Sequence, residues 1–200
     1  GQGMDATTLR AIQPWIGNGQ DSGAEAVVHN NGQPNVVIRN LTIDANSTAT
    51  FGIGAHGRDM TIDSVKVTNA RCDGIAIVTT GWTVQHSIIE NNGFACDTNN
   101  GHPGAGIYLL RNTGDGYYRP RIVDNLIRNN AGPALDVDKV WGGLISGNTL
   151  SGNLGWAAVS LIGSEWTVEN NTIVHPLSAN PEHFGHRECQ VNLANNYSAG

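Results

Sequence analysis

Ile145-Ser146-Gly147-Asn148-Thr149-Leu150 and Val168-Glu169-Asn170-Asn171-Thr172-Ile173 are one pattern written twice, 23 residues apart. An apolar residue, two or three polar ones with Asn or Gly among them, and a return to an apolar residue recur upstream. The earlier versions are Ile38-Arg39-Asn40-Leu41-Thr42-Ile43, Ile62-Asp63-Ser64-Val65-Lys66-Val67, Val84-Gln85-His86-Ser87-Ile88-Ile89 and Val123-Asp124-Asn125-Leu126-Ile127. Read as a column, Asn40, Ser64, Ser87, Asn125, Asn148 and Asn171 follow at intervals of 24, 23, 38, 23 and 23. A second polar column, five residues on, reads Asn69, Asn92, Asn130, Asn153.

Each repeat continues into a second apolar stretch: Gly52-Ile53-Gly54-Ala55, Gly74-Ile75-Ala76-Ile77, Gly106-Ile107-Tyr108-Leu109, Ala134-Leu135-Asp136-Val137 and Ala158-Val159-Ser160-Leu161. Their apolar residues alternate, which is the period of a strand and not of a helix. A unit of about 23 residues built of short strands has no core of its own and must stack on its neighbours. A leucine-rich horseshoe would need a regular Leu scaffold and a helical arc, and neither is present. Short strands separated by Asn- and Gly-rich turns predict an all-β fold, a right-handed parallel β-helix in which equivalent Asn side chains bond from coil to coil.

Composition agrees. The 200 residues include 26 Gly, only 14% are charged, and long runs of helix formers are missing. Gly and Asn both tolerate the backbone conformations of tight turns. A net charge of −6 argues against nucleic acid as a partner. No run of eighteen apolar residues is available to span a membrane. The three cysteines, Cys72, Cys96 and Cys189, are not a disulfide framework. Cys72 and Cys96 lie one coil apart, which would allow a bridge, but three buried free thiols is the preferred reading.

The whole chain, 1–200, is expected to form one β-helix domain. The 38-residue interval predicts that about fifteen extra residues loop out within 94–120. They flank the strand at 106–110, on both of its sides, from Phe94 to Pro103 and from Asn112 to Pro120. Insertions in solenoids gather beside a binding face.

The segment Asn35-Val36-Val37-Ile38-Arg39-Asn40-Leu41-Thr42-Ile43 resembles the first coil of the pectate-lyase-like β-helix superfamily. The opening Gly1-Gln2-Gly3-Met4-Asp5-Ala6-Thr7-Thr8-Leu9 resembles the turn before it, and the Asn-rich and Gly-Ile-rich repeats match the superfamily's generic repeat over nearly the whole chain. Members carry a further strand and capping segment before that turn, so the chain is expected to be trimmed at its N-terminus. The superfamily holds polysaccharide lyases, uronate epimerases, glycoside hydrolases, phage tailspikes and non-catalytic adhesins. The Asn-Thr-Asp motif of polygalacturonases and the Tyr-Gly-x-Asp-Pro-His motif of alginate epimerases are not found here. The resemblance implies a secreted or extracellular protein with a polysaccharide as partner, bound on the outer face of the strand that starts at the Gly-Ile pairs.

With Ile53, Ile75, Ile107, Leu135 and Val159 set inward, the next residue of each coil points out. One outward column is then Gly54, Ala76, Tyr108, Asp136, Ser160, and the next is His56, Val78, Leu110, Asp138, Ile162. Charge concentrates beside the insertion, at Tyr108 and Arg111 on one coil and Asp136, Asp138 and Lys139 on the next. For β-elimination on a uronate, the leading expectation, the substrate carboxylate must be neutralised and a base supplied. Calcium on Asp136 and Asp138, or Arg111, would do the first. Lys139 would be the base, Tyr108 the proton donor to the leaving oxygen, and His56 and Arg58 would bind substrate. Hydrolysis by Asp136 and Asp138 as an acid and base pair is the alternative, and a non-catalytic binding, tailspike or adhesin segment is the third. The histidines at 175, 183 and 186 read as loop or structural residues. Trp82, Trp141 and Trp166, at repeat-equivalent turns, read as packing residues.

Overall fold

The computed structural model describes residues 3–12, 26–96, 104–110, 119–163, 165–174 and 189–194. All regular structure among them is strand, and every strand pair is parallel. One sheet of seven strands takes one strand from each coil: Ala26–Asn30, Phe51–Ala55, Ile75–Ile77, Ile107–Leu110, Leu135–Asp138, Ala157–Ile162 and Cys189–Ala194. The other sheet has eleven strands and folds over two faces of the solenoid. In it the long strands Val37–Asp44 and Thr61–Thr68 cover both faces. Later coils divide into pairs: Thr83–Gln85 with Ile88–Glu90, Arg121–Val123 with Leu126–Arg128, Gly143–Ser146 with Thr149–Ser151, and Trp166–Glu169 with Thr172–Val174. Thr8–Arg10 pairs with the second half of Val37–Asp44. The coil is right-handed, as crossover connections between parallel strands nearly always are. Among the described residues no helix is long and apolar enough to cross a membrane.

Corners between faces are made by residues in the left-handed backbone region. Asn40, Ser64, His86, Asp124, Gly147 and Asn170 form one such column, with φ between 49° and 69°. Asn35, Asp59, Gly81, Arg119, Gly142 and Glu165 form another, and Asn69, Asn91, Asn129 and Gly152 a third. Asn, Asp and Gly suit this conformation because a short polar side chain, or none, meets the least backbone clash.

At two of these corners the next residue points inward and, from Ser87 and Asn92 onward, carries the polar ladder. Asn92 donates both its backbone N–H (3.0 Å) and its Nδ2 (2.9 Å) to Oδ1 of Asn130, and Asn130 donates in the same way to Asn153. Ser87, Asn125, Asn148 and Asn171 repeat the arrangement at the neighbouring corner. The remaining amide hydrogens return to carbonyls of the preceding coil, such as Asn130 Nδ2 to Ile89 O and Asn148 Nδ2 to Ile122 O. Buried carboxamides are thereby satisfied without water. The sequence columns mixed two structural ones. Asn40, Ser64 and Asn69 are corner residues, and their ladder-equivalent neighbours are Leu41, Val65 and Ala70. One residue of slip in the early coils was invisible because Asn and Ser serve at either position.

Inward apolar columns fill the centre. Ile53, Ile75, Ile107, Leu135 and Val159 stack on the seven-stranded face, Ile62, Val84, Ile122 and Ile145 on the second, and Val67, Ile89, Ile127 and Leu150 on the third. Gly106 precedes its isoleucine because a Cβ there would stand 2.6 Å from Ile127 Cγ2 and 2.9 Å from Asn130 Nδ2. Trp82 is buried and donates Nε1 to Thr79 Oγ1, and Trp166 donates to Val140 O while covering Gly143. These two share a column, but Trp141 stands two residues earlier than its supposed equivalents.

The register survives the long repeat: Gln85 pairs with Val123 and Glu90 with Arg128. Sixteen residues separate Glu90 from Ile107, against six between Arg128 and Leu135. Ten separate Leu110 from Arg121, against five between Asp138 and Leu144. The excess therefore falls on both sides of Ile107–Leu110, although segments 97–103 and 111–118 lie outside the described residues. Cys72 and Cys96 are not free thiols: they form a disulfide across 24 residues, within an apolar cluster that includes Phe51 and Ala76.

Replacing the fully buried Asn130 by Ala orphans the Asn92 N–H and the Ile89 carbonyl at once. Denaturant unfolding of Asn130→Ala should show a loss of about 1–3 kcal/mol for each group left unpaired. Asn171→Ala, at the half-exposed end of its ladder, should cost less. Reducing the disulfide should remove about 3 kcal/mol, the chain-entropy value for a loop of this length.

Candidate functional site

The outer face of the seven-stranded sheet presents side chains in columns along the solenoid axis. The pairing His29, Gly54, Ala76, Tyr108, Asp136, Ser160 gives the first, and His56, Val78, Leu110, Asp138, Ile162 the second. Both agree with the register expected from alternation. Tyr108 and Asp136 are thus cross-strand neighbours, with Asp138 two residues further along the same strand and Ser160 one coil beyond. The strand ends at Asp138. Lys139 takes a left-handed conformation (φ 56°), which turns its side chain to solvent, and its Nζ lies 3.6 Å from Asp138 Oδ2. Arg111 lies outside the described residues.

A third carboxylate near this face was missed from the sequence. Asp73 is fully buried, and its Oδ1 accepts a hydrogen bond from the Ala105 N–H at 2.8 Å. It occupies the position just before the corner glycine, on the side of the face that carries Tyr108 and Asp136. Its signal was available. The same position holds Phe51, Ala105, Pro133 and Ala157 in the other coils, so a carboxylate there breaks an apolar column.

These neighbours set the protonation of the site. Burial, with the charges of Asp73 and Asp138, pushes the Asp136 carboxyl up to about 6 from its ordinary 3.8. Ser160 acts the other way. Its buried Oγ makes no hydrogen bond of acceptable geometry, so its influence on Asp136 is one of proximity to the carboxyl and not of a formed bond. Burial and the carboxylates of Asp136, Asp138 and Asp73 also raise the Tyr108 phenol well above its usual value. Asp136 can therefore hold a proton close to neutral pH, and Tyr108 remains a proton donor throughout that range.

The structure does not bring His56 and Arg58 to this cluster. His56 sits three coils from Asp138 in the same column, about 14 Å along the axis. There its ring meets His29 edge-on, with centroids 5.8 Å apart, and Arg58 is exposed. Asp136 and Asp138 offer carboxylates from a single strand, and calcium takes six to eight oxygen ligands. Among the described residues no group of three His, Cys, Asp or Glu is arranged to hold a metal ion. Elsewhere, Glu90 is buried between Lys66 and Arg128, each 2.7 Å away; burial raises its carboxyl, but the two hydrogen bonds outweigh that and leave it lowered. His86 holds Asp63 below the usual carboxylate range. Both sets lie on the eleven-stranded sheet and not on the face that carries Tyr108, Asp136 and Asp138.

A family described as the right handed beta helix region matches residues 22–196. No curated protein and no solved structure matches.

Asp136 should cost stability once ionised. Its folded-state value near 6 exceeds the ordinary 3.8, so the folded protein keeps a proton that the unfolded chain has released, and stability falls as pH rises between those values. Thermal melts of Asp136→Asn should therefore show a more stable protein above pH 6, by on the order of 1–3 kcal/mol, with the advantage gone below about pH 4.

Proposed function

The chain belongs to the right-handed β-helix family, and from that premise we propose that it is a secreted carbohydrate-active protein that hydrolyses an extended polysaccharide laid along its seven-stranded face. The observation that carries the chemistry is the raised Asp136 carboxyl beside a second outward carboxylate. Glycoside hydrolysis needs one carboxyl that is protonated at working pH and one that is not. Asp136 serves as the acid and delivers its proton to the glycosidic oxygen. Asp138 serves as the base and takes a proton from the attacking water.

Residues two apart on one strand stand about 6.8 Å apart at Cα. That spacing suits carboxyl groups roughly 6.5–9.5 Å apart, the separation that leaves room for a water and inverts the anomeric centre. Lys139 stands beside Asp138, with its Nζ 3.6 Å from Asp138 Oδ2. Tyr108, the cross-strand neighbour of Asp136, offers a hydroxyl to orient the sugar. The Cys72–Cys96 disulfide supports export, since such bonds persist in oxidising compartments.

β-Elimination on a uronate is the second reading, and Lys139 favours it. Its exposed ammonium is at the edge of the face, where it could meet a substrate carboxylate or act as the base, and Tyr108 could protonate the leaving oxygen. No step is assigned to calcium.

Incubation with a panel of neutral, amino-sugar and uronate polymers separates the readings. New reducing ends without unsaturated uronate, lost by 10²–10⁴-fold in Asp136→Asn, is the outcome expected for hydrolysis. Ultraviolet absorbance from unsaturated ends, abolished in Lys139→Ala, would replace hydrolysis by elimination. Polymer binding without cleavage would make the protein a binding module. Because the acid must be protonated, kcat/KM for hydrolysis should fall as pH rises above about 6.

A further inference from the structure

Asp73 has no part in the reaction as written, yet nothing in the fold requires a carboxylate there. The corresponding residues of the other coils, Phe51, Ala105, Pro133 and Ala157, are apolar, and the corner forms equally well with them. Leaving an ionisable group fully buried is costly unless something compensates. The compensation is specific. Asp73 Oδ1 accepts the Ala105 N–H, and Ala105 belongs to the stretch that returns from the inserted segment into strand Ile107–Leu110. On its other side the chain is fixed by the disulfide between Cys72 and Cys96, at the point where the inserted segment departs. Asp73 is thus anchored at both ends of the insertion, three residues of chain before Tyr108 being set by its contact with Ala105.

We propose that Asp73 is a positioning residue of the polysaccharide site: its buried carboxylate seats the chain at Ala105 and sets a fixed negative charge behind Tyr108 and Asp136. The inference rests on the reading of Asp136 as proton donor. The groups facing Asp136 are Tyr108 from one neighbouring strand, Ser160 from the other, and Asp138 and Lys139 from its own chain segment, and the charge of Asp73 bears on it from two coils before. Of these, Asp73 is the carboxylate removed from solvent altogether, so salt and substrate leave its influence in place.

Asp73→Asn keeps an Oδ1 acceptor for Ala105 and removes the charge. Carbon-detected NMR titration of the Asp136 carboxyl should give a lower midpoint in this variant than in the wild type. In parallel, the fall of hydrolytic kcat/KM with pH should move to lower pH, with a several-fold loss at pH 7 and little change in melting temperature. Asp73→Ala, which also strips the acceptor, should in addition melt lower. An unchanged Asp136 midpoint in Asp73→Asn would overturn the proposal even if hydrolysis is intact. A lowered midpoint in a protein that cleaves no polymer would uphold Asp73 and remove the hydrolase reading instead. Should the variants not fold, hydrogen exchange in the wild type decides the seating: protection of the Ala105 amide equal to that of the Ile107 amide upholds it, and ready exchange at Ala105 overturns it.

Discussion

Everything in this molecule depends on a carboxamide oxygen that accepts two hydrogen bonds from the coil next to it. Asn130 Oδ1 takes both the backbone and side-chain N–H of Asn92, and Asn148 Oδ1 does the same for Asn125. A strand corner in the protein interior would otherwise leave backbone donors unpaired, at a cost that grows with every coil. The ladder removes that cost and also ties the register of one coil to the next, because each carboxamide oxygen must meet the side-chain and backbone N–H of its equivalent. The left-handed residue before each ladder position turns the chain so that the next side chain points inward. Corner and ladder are a single device made of two adjacent residues.

The site is a by-product of that regularity. With the inward columns filled by Ile, Leu and Val, the outward columns of the seven-stranded face are free to vary, and their placement is set to within one pitch. Tyr108, Asp136, Asp138 and Ser160 meet because the register brings them together, with no loop required to hold them. The insertion interrupts the sequence repeat but not the pairing, since Gln85 still meets Val123 and Glu90 still meets Arg128. Its departure and return are tied down by the disulfide and by the Asp73–Ala105 hydrogen bond, and these lie directly beside the acidic cluster.

Much of this was legible in the sequence. The period of about 23, the inward isoleucines and both outward columns were readable because a two-residue alternation leaves only one way to bury Ile53, Ile75 and Ile107. The ladder was readable only in part. Asn and Ser occupy corner and ladder positions alike, so Asn40, Ser64 and Asn69 could not be told from Ser87 and Asn92 without the backbone. The disulfide was allowed by spacing but not preferred, because three cysteines read more simply as buried free thiols, and the structure joins Cys72 to Cys96. Asp73 was overlooked for a different reason. An aspartate before a glycine is ordinary turn chemistry, and only its full burial and its bond to the Ala105 N–H give it another meaning. The separation of His56 from the acidic residues was implicit in the columns, because two coils, those of Val78 and Leu110, intervene.

The constant pitch of the face also makes it a ruler. Each coil advances the outer surface by about 4.8 Å, so the protein measures its ligand in whole coils. The imidazole of His56 marks one graduation and the carboxyls at Asp136 and Asp138 another, with the coils of Ala76 and Tyr108 as the two divisions between. Duplicating or deleting a coil within that interval would change the length being read by one division and leave the chemistry at either mark as it was. Such a scaffold can be retuned to a longer or shorter chain without redesigning any contact.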